Sequence, residues 1–257
     1  MIEHIARQFE PITLEQMSGI KLMNRTDTKF VTSEAKLLKL LELASSQYLI
    51  QETDGLRIAP YGTVYFDTEA CEMYAAHHNG HLNRQKVRIR SYIASGLHFL
   101  EVKTKDNHRR TSKKRITMPT DDRTQWLHIV NDNQGETADF LHKRLRYDNR
   151  TLLPRLENSF RRITLVNKAR TERLTIDSAL KFYNLDNKHN IDLDGIAIIE
   201  LKRDGLMPSP VLELLRQLRI TPSGFSKYCM GMALTDPELK QNRFKERLHN
   251  LTRIAAN

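Results

Sequence analysis

Over several long stretches apolar and polar residues alternate with a period of two. Between positions 84 and 90, Arg84, Lys86, Arg88 and Arg90 share one parity, and Val87 and Ile89 share the other. Successive side chains of a strand point to opposite faces, so this is the pattern of a strand with one charged and one apolar face. The alternation recurs in 101–105, where Glu101, Lys103 and Lys105 oppose Val102, and in 113–116, where Lys113 and Arg115 share a face. It recurs again in 160–165 (Phe160, Arg162 and Thr164 against Ile163 and Leu165) and in 173–177 (Arg173, Thr175 and Asp177 against Leu174 and Ile176). In 198–202, Ile198, Glu200 and Lys202 oppose Ile199 and Leu201.

The pattern predicts strands over 26–32, 61–67, 83–94, 97–105, 112–118, 156–166, 171–177 and 194–202. The short polar connections at 94–96 and 106–108 suit hairpins. Helical periodicity takes over after Ser33, a cap for the run EAKLLKLLELAS, and in 69–79, which Gly80 closes. Further helices are expected over 121–146, interrupted near 133–135, and over 208–219, 225–234 and 236–253, with a short leading helix in the first twenty residues. Trp126 and the Met-rich stretch 230–232 read as core, and His77 and His78 as a solvated helix end. No repeat or linker divides the chain, so 1–257 reads as one domain.

Long sequential strands with short turns predict an α+β fold built on an antiparallel sheet. The charged faces of 84–90, 103–105 and 113–115 are nearly all positive, and hairpin neighbours would set them side by side, where like charges repel. A barrel of about eight strands, its lumen holding the basic faces and its apolar faces turned out to helices, accommodates every strand at once.

Charge distribution sharpens this picture. Residues 81–115 carry a net +9 and residues 143–173 a net +7 of the chain's total +10, leaving −6 for the remainder. Two basic segments on an acidic background attract a polyanion. The basic residues occupy alternate strand positions without interleaved aromatics, which disfavours nucleic acid as that polyanion. No run approaches the ~18 apolar residues of a spanning helix. The opening MIEHIARQFE has no apolar segment of the secretory type, and Cys71 and Cys229 lack metal-site spacing. These features lead us to expect a cytoplasmic protein with reduced thiols.

The strings NRTDTKF (24–30), YFDT (65–68), NRQKVRIRSY (83–92), FLEVKTK (99–105), KKRI (113–116), ERLTID (172–177), IIELK (198–202) and FSKYCMG (225–231) occur in this order. The set resembles the VTC domain of polyphosphate polymerases, within the CYTH-like triphosphate-tunnel superfamily, over about residues 20–232. The resemblance implies an eight-stranded tunnel in which the γ-phosphate of ATP is transferred to inorganic polyphosphate with Mn²⁺ or Mg²⁺. It implies that Arg88, Arg90, Lys103 and Arg162 act on the reacting phosphates, and that Lys29, Lys86, Lys113, Ser226 and Lys227 bind phosphate, the last two near the tunnel mouth. It makes Glu200 the metal ligand. An ion-pair partner for a lumen cation is the other reading of Glu200, and the favoured reading of Glu101. Phe160 stands where members often carry Tyr, and Gly224 where many carry Lys. The ExExK signature of the triphosphatase and cyclase branches is missing. A non-catalytic polyphosphate or nucleotide binder and a tunnel triphosphatase are the alternatives. The basic amphipathic C-terminal helix reads as a packed surface helix, with a peripheral membrane or partner contact as its other possible use.

Overall fold

Residues of matching parity line up across the hairpins to make one curled sheet. The computed structural model describes residues 1–18, 25–108, 110–205 and 207–255; Asn24, the first residue of the string NRTDTKF, lies outside them. The chain runs α1 (Ile2–Ala6), β1 (Glu10–Thr13), α2 (Leu14–Ser18), β2 (Arg25–Ser33), α3 (Glu34–Ala44), β3 (Tyr48–Glu52), β4 (Ala59–Asp67), α4 (Glu72–His78), β5 (Arg84–Tyr92), β6 (Leu97–Lys105) and β7 (Thr111–Thr117). It continues through α5 (Trp126–Asn131), α6 (Gly135–Arg144), β8 (Leu153–Asn167), β9 (Glu172–Asn184), β10 (Asn190–Leu193), β11 (Ile196–Asp204), α7 (Pro210–Gln217), α8 (Lys227–Thr235) and α9 (Lys245–Ala255).

Eight strands form the main path in the order β2-β11-β9-β8-β4-β5-β6-β7, each pair antiparallel. β10 adds to β9, and β3 joins the far end of β8 while pairing in parallel with β1. Among the described residues the path ends at β2 and β7, so the sheet is a half-barrel rather than a sealed cylinder. The exposed edge strand β7 carries Lys113, Lys114 and Arg115, charges of the kind that discourage edge-to-edge pairing.

The convex face is apolar and covered by helices. On one half, Phe30, Ile163, Leu165, Leu174, Ile176, Ile199 and Leu201 pack against Leu37, Leu40 and Leu41 of α3 and Val211 and Leu215 of α7. On the other, Val64, Phe66, Val87, Ile89, Leu100 and Val102 pack under Trp126 and Val130 of α5 and Phe140 and Leu141 of α6.

α8 and α9 do not join this outer layer, although the expected barrel has its helices outside. Tyr228, Cys229, Met230 and Met232 of α8 pack on Tyr65, Leu156, Phe160, Leu180, Phe182 and Ile198, which line the concave face. Gly231 makes the approach possible: a Cβ there would lie 2.5 Å from both Leu156 Cδ2 and Phe182 Cδ1. α8 therefore closes one end of the lumen. Phe244 and Leu251 at the C-terminus join the same cluster, so α9 is a packed surface helix. His77 and His78 pack against Phe244, and His78 is buried, which corrects the reading of a solvated helix end.

A bulge completes the concave face. Ser159 pairs with Lys181 and Arg161 with Ser178, so Phe160 stands opposite two residues, Ala179 and Leu180. Ala179 takes the strained left-handed conformation (φ 49°) that absorbs the extra residue. The parity of β9 flips there, and Leu180 and Phe182 face the same side as Asp177.

Candidate active site

The open part of the lumen is a field of cations held apart by three carboxylates. Each carboxylate is clasped by two cations. Glu200 accepts from Lys29 on Oε1 at 2.5 Å and from Lys202 on Oε2 at 2.6 Å. Glu101, fully buried on β6, accepts from Arg88 Nε and Nη2 at 2.8 and 2.6 Å and from Lys113 at 2.9 Å. Asp177 takes a two-pronged bond from Arg162, at 2.6 and 2.8 Å, and a further one from Lys227.

The strands dictate these clasps. Glu200 is the register partner of Lys29 across β11 and β2, Glu101 of Arg88 across β6 and β5, and Asp177 of Arg162 across β9 and β8. Cross-strand neighbours on one face lie about 5 Å apart, the distance a salt bridge needs. Burial alone would raise all three carboxyls, but the paired cations outweigh it. Glu101 is pulled down to about 2 by Arg88, Arg90 and Lys113, and Glu200 and Asp177 are held well below the ordinary carboxylate range.

Three of the cations singled out from the sequence are left over. Among the described residues, Lys86, Arg90 and Lys103 have no carboxylate partner. Lys86 donates to Ser226 Oγ at 2.6 Å. Arg90 lies over the rings of Tyr61 and Phe160, and its buried Nε has no hydrogen-bond partner. Burial, then Arg88 and Arg162, make it easier to deprotonate than a free arginine. Lys103 is open to solvent yet walled by protein on most sides, as a lumen residue is. Desolvation and the nearby Lys29, Lys86 and Arg88 push its pKa down to about 7. The buried Tyr65 responds to the same field: burial would raise its phenol, but Arg88, Arg90, Lys227 and Lys86 make it more acidic than usual. A bound anion would offset such mutual repulsion further.

All ten residues singled out from the sequence face this one lumen. Arg88, Arg90, Lys103, Arg162, Lys29, Lys86, Lys113 and Glu200 project from strands. Ser226 and Lys227 sit at the N-terminus of α8. Ser226 caps α8 by accepting from Cys229 N at 3.2 Å while it accepts from Lys86. Phe160 replaces a phenol hydroxyl with a bare ring: it stacks on Tyr61 at 5.3 Å and carries Lys227 Nζ 4.4 Å above its centroid.

Lys202 and Asp177 belong to the site and were not among the residues the sequence singled out. Their signal was present, since each shares parity with the charged face of its strand. Glu101 is the ion-pair partner it was expected to be. Among the described residues no group of three or more His, Cys, Asp or Glu side chains could cage a metal ion, and no helix is long and apolar enough to cross a membrane.

Known proteins place this arrangement. The VTC domain matches residues 24–235 of the chain. None of the curated proteins matches its sequence. Among solved structures it resembles a candidate adenylate cyclase from Bacillus halodurans, with a TM-score of 0.53 and 15% identity, covering 79% of this chain and 96% of that one. It also resembles the candidate adenylyl cyclase HpAC1 from Hippeastrum, with a TM-score of 0.50 and 15% identity over 83% and 97% of the two chains. A dominant triphosphatase activity is described for the latter protein. At such identities the likeness is one of fold, that of the CYTH-like triphosphate tunnels. Matched over most of its length, and with its basic residues gathered in such a tunnel, the chain belongs to the VTC-domain family.

Proposed function

We propose that the protein is a polyphosphate polymerase, transferring the γ-phosphate of ATP to the end of a polyphosphate chain inside the basic lumen. The observation that carries this reading is the surplus of charge: three carboxylates are each saturated by two cations, and Lys86, Arg90 and Lys103 still await an anion. A terminal oxygen of the polyphosphate attacks the γ-phosphorus, and the β–γ bridging oxygen leaves with ADP. Such a transfer is accelerated mainly by positioning and by charge placed around the phosphoryl oxygens. Arg88, Arg90, Lys103 and Arg162 would supply that charge at the reacting phosphates. Lys29, Lys86, Lys113, Ser226 and Lys227 would hold the flanking ones. The forked guanidinium of Arg suits two phosphate oxygens at once.

A divalent ion, Mn²⁺ or Mg²⁺, would bind here through Glu200. Glu200 is a single carboxylate with the Thr175 hydroxyl 3.5 Å away, and both its oxygens hold lysines. That donor set matches the mode in which one carboxylate, water and substrate phosphates share a hard cation. Glu200 would be the protein's ligand, with Lys29 or Lys202 passing from carboxylate to phosphate. When bound, the ion would neutralise charge on the phosphates.

Water in place of the polyphosphate acceptor would make the same lumen a triphosphatase, as described for the Hippeastrum neighbour. Incubation with ATP and Mn²⁺, followed by separation of the products, distinguishes the two. Chains longer than triphosphate support polymerisation. Free phosphate alone supports hydrolysis, and no turnover leaves a binding module.

A further inference from the structure

We propose that a polyphosphate chain bound in the lumen runs out past the first turn of α8, and that Arg247 of α9 grips it there. That role presupposes a phosphate chain in the lumen, and it adds where the chain goes and what holds it outside. α9 lies beyond residues 24–235, the span the VTC domain matches. Arg247 is exposed and makes no hydrogen bond or ion pair among the described residues. Its guanidinium lies against Gly224: a Cβ built there would stand 3.4 Å from Nη2 and 3.7 Å from Nε. A long side chain at 224 would contest that place, and glycine leaves it to the arginine. Gly224 is two residues before Ser226, so the guanidinium stands beside the first turn of α8.

The cations of β5 lead to the same place. Arg90, Arg88, Lys86 and Arg84 share its concave face, in steps of about 7 Å. Lys86 reaches Ser226 Oγ at 2.6 Å. Arg84 spends one N–H on the His81 carbonyl at 2.7 Å and keeps the rest of its fork. His77 feels this row and Arg247 together: burial, then the charges of Lys86, Arg84, Arg247 and Lys105, hold its imidazole down to about 2.

Ser226 independently calls for an acceptor here. Its Oγ accepts from both Lys86 Nζ and Cys229 N, which occupies its two lone pairs. Its own proton has no acceptor among the described residues, and a phosphate oxygen would supply one. The amides of Lys227 and Tyr228, ahead of the capped one, belong to the first turn, where no intrahelical acceptor exists and negative charge is favoured. Cations from β5 and α9, a hydroxyl proton and two amides thus converge beside one helical turn. A chain that carries charge on every phosphate can reach from Arg88 to Arg247, whereas a short one stays within the lumen.

Calorimetric titrations of tripolyphosphate and of long-chain polyphosphate into the full chain, at fixed ionic strength, test this. Arg247→Met should weaken long-chain polyphosphate at least fivefold and tripolyphosphate less than twofold. Lys39→Met removes an exposed cation from α3, on the outer side of the sheet, and should change neither. Gly224→Lys added to Arg247→Met should restore most of the lost affinity, because Gly224 has no left-handed backbone and its new side chain would enter the space the guanidinium leaves. The role of Arg247 is refuted if its loss leaves long-chain affinity unchanged, weakens both ligands alike, or does no more than Lys39→Met. It is also refuted if Gly224→Lys restores nothing. Failure of the wild type to bind tripolyphosphate at all would instead overturn the lumen reading on which that role rests.

Discussion

Lys86 Nζ donates to Ser226 Oγ at 2.6 Å, joining the lumen wall on β5 to the residue that caps α8. The helix that closes the lumen is thereby held by one of the cations that line it. Below this contact α8 lies flat on the sheet, with Tyr228 bonded to the buried Asp67 at 2.6 Å, and Asp67 in turn accepting from the first amides of α4.

Gly231→Ala should expose how tightly α8 is seated. Its methyl would meet Leu156 and Phe182 at 2.5 Å, and overpacking of this kind costs about 1–3 kcal/mol. Urea unfolding should show that loss, along with weaker tripolyphosphate binding because Ser226 and Lys227 move with the helix. Unchanged stability would mean that α8 does not pack on the concave face.

Much of this was legible in the sequence, because parity is a local property. Arg88, Arg90, Lys103, Arg162 and Glu200 could each be assigned to the charged face of its strand from alternation alone, and the register of the first three followed from the short β5–β6 hairpin. What escaped was non-local. The apolar stretches of α8 and α9 reveal burial but not which side of a curled sheet they cover. The expected strand ended at 177 because the bulge at Ala179 breaks the alternation, although β9 continues to Asn184. β3 pairs with β8, far along the chain, while β10 is a short strand that folds back on the preceding β9, and nothing in their own residues marks them. The clasps on Glu200 and Asp177 needed the register of four strands and the seating of α8.

Lys103 gives the lumen a pH signature. Its pKa is about 7 in the folded chain against 10.5 for the ordinary group. Between those values the unfolded chain binds more protons, so this residue makes stability rise with pH, its penalty being full below about pH 7 and gone above about 10.5. Lys103→Met should therefore raise the melting temperature of the ligand-free protein most at pH 6, with the gain fading as pH climbs. Tripolyphosphate binding should reverse the trend. Affinity should fall above pH 7 in the wild type as Lys103 loses its proton, and fall less in Lys103→Met. Parallel pH profiles for the two proteins would remove Lys103 from the site.

Glu200→Gln separates a metal ligand from a spacer between lysines. The substitution keeps the shape and removes the charge, freeing Lys29 and Lys202. Metal-free tripolyphosphate affinity should hold or increase, while Mn²⁺-dependent ATP turnover should be lost at every Mn²⁺ concentration. Turnover equal to the wild type would make Glu200 an ion-pair partner and nothing more.

The central claim is that the uncompensated cations of the lumen form one phosphate-chain site, and calorimetric titration of metal-free tripolyphosphate into wild type and Arg90→Met tests it most directly. Arg90 is buried among Tyr61, Phe160 and Arg88 and bonds no carboxylate among the described residues. We predict saturable binding in the wild type with one chain per lumen, weakened at least tenfold in Arg90→Met. Absence of binding to the wild type at millimolar tripolyphosphate, or equal affinity in the two proteins, would contradict the account.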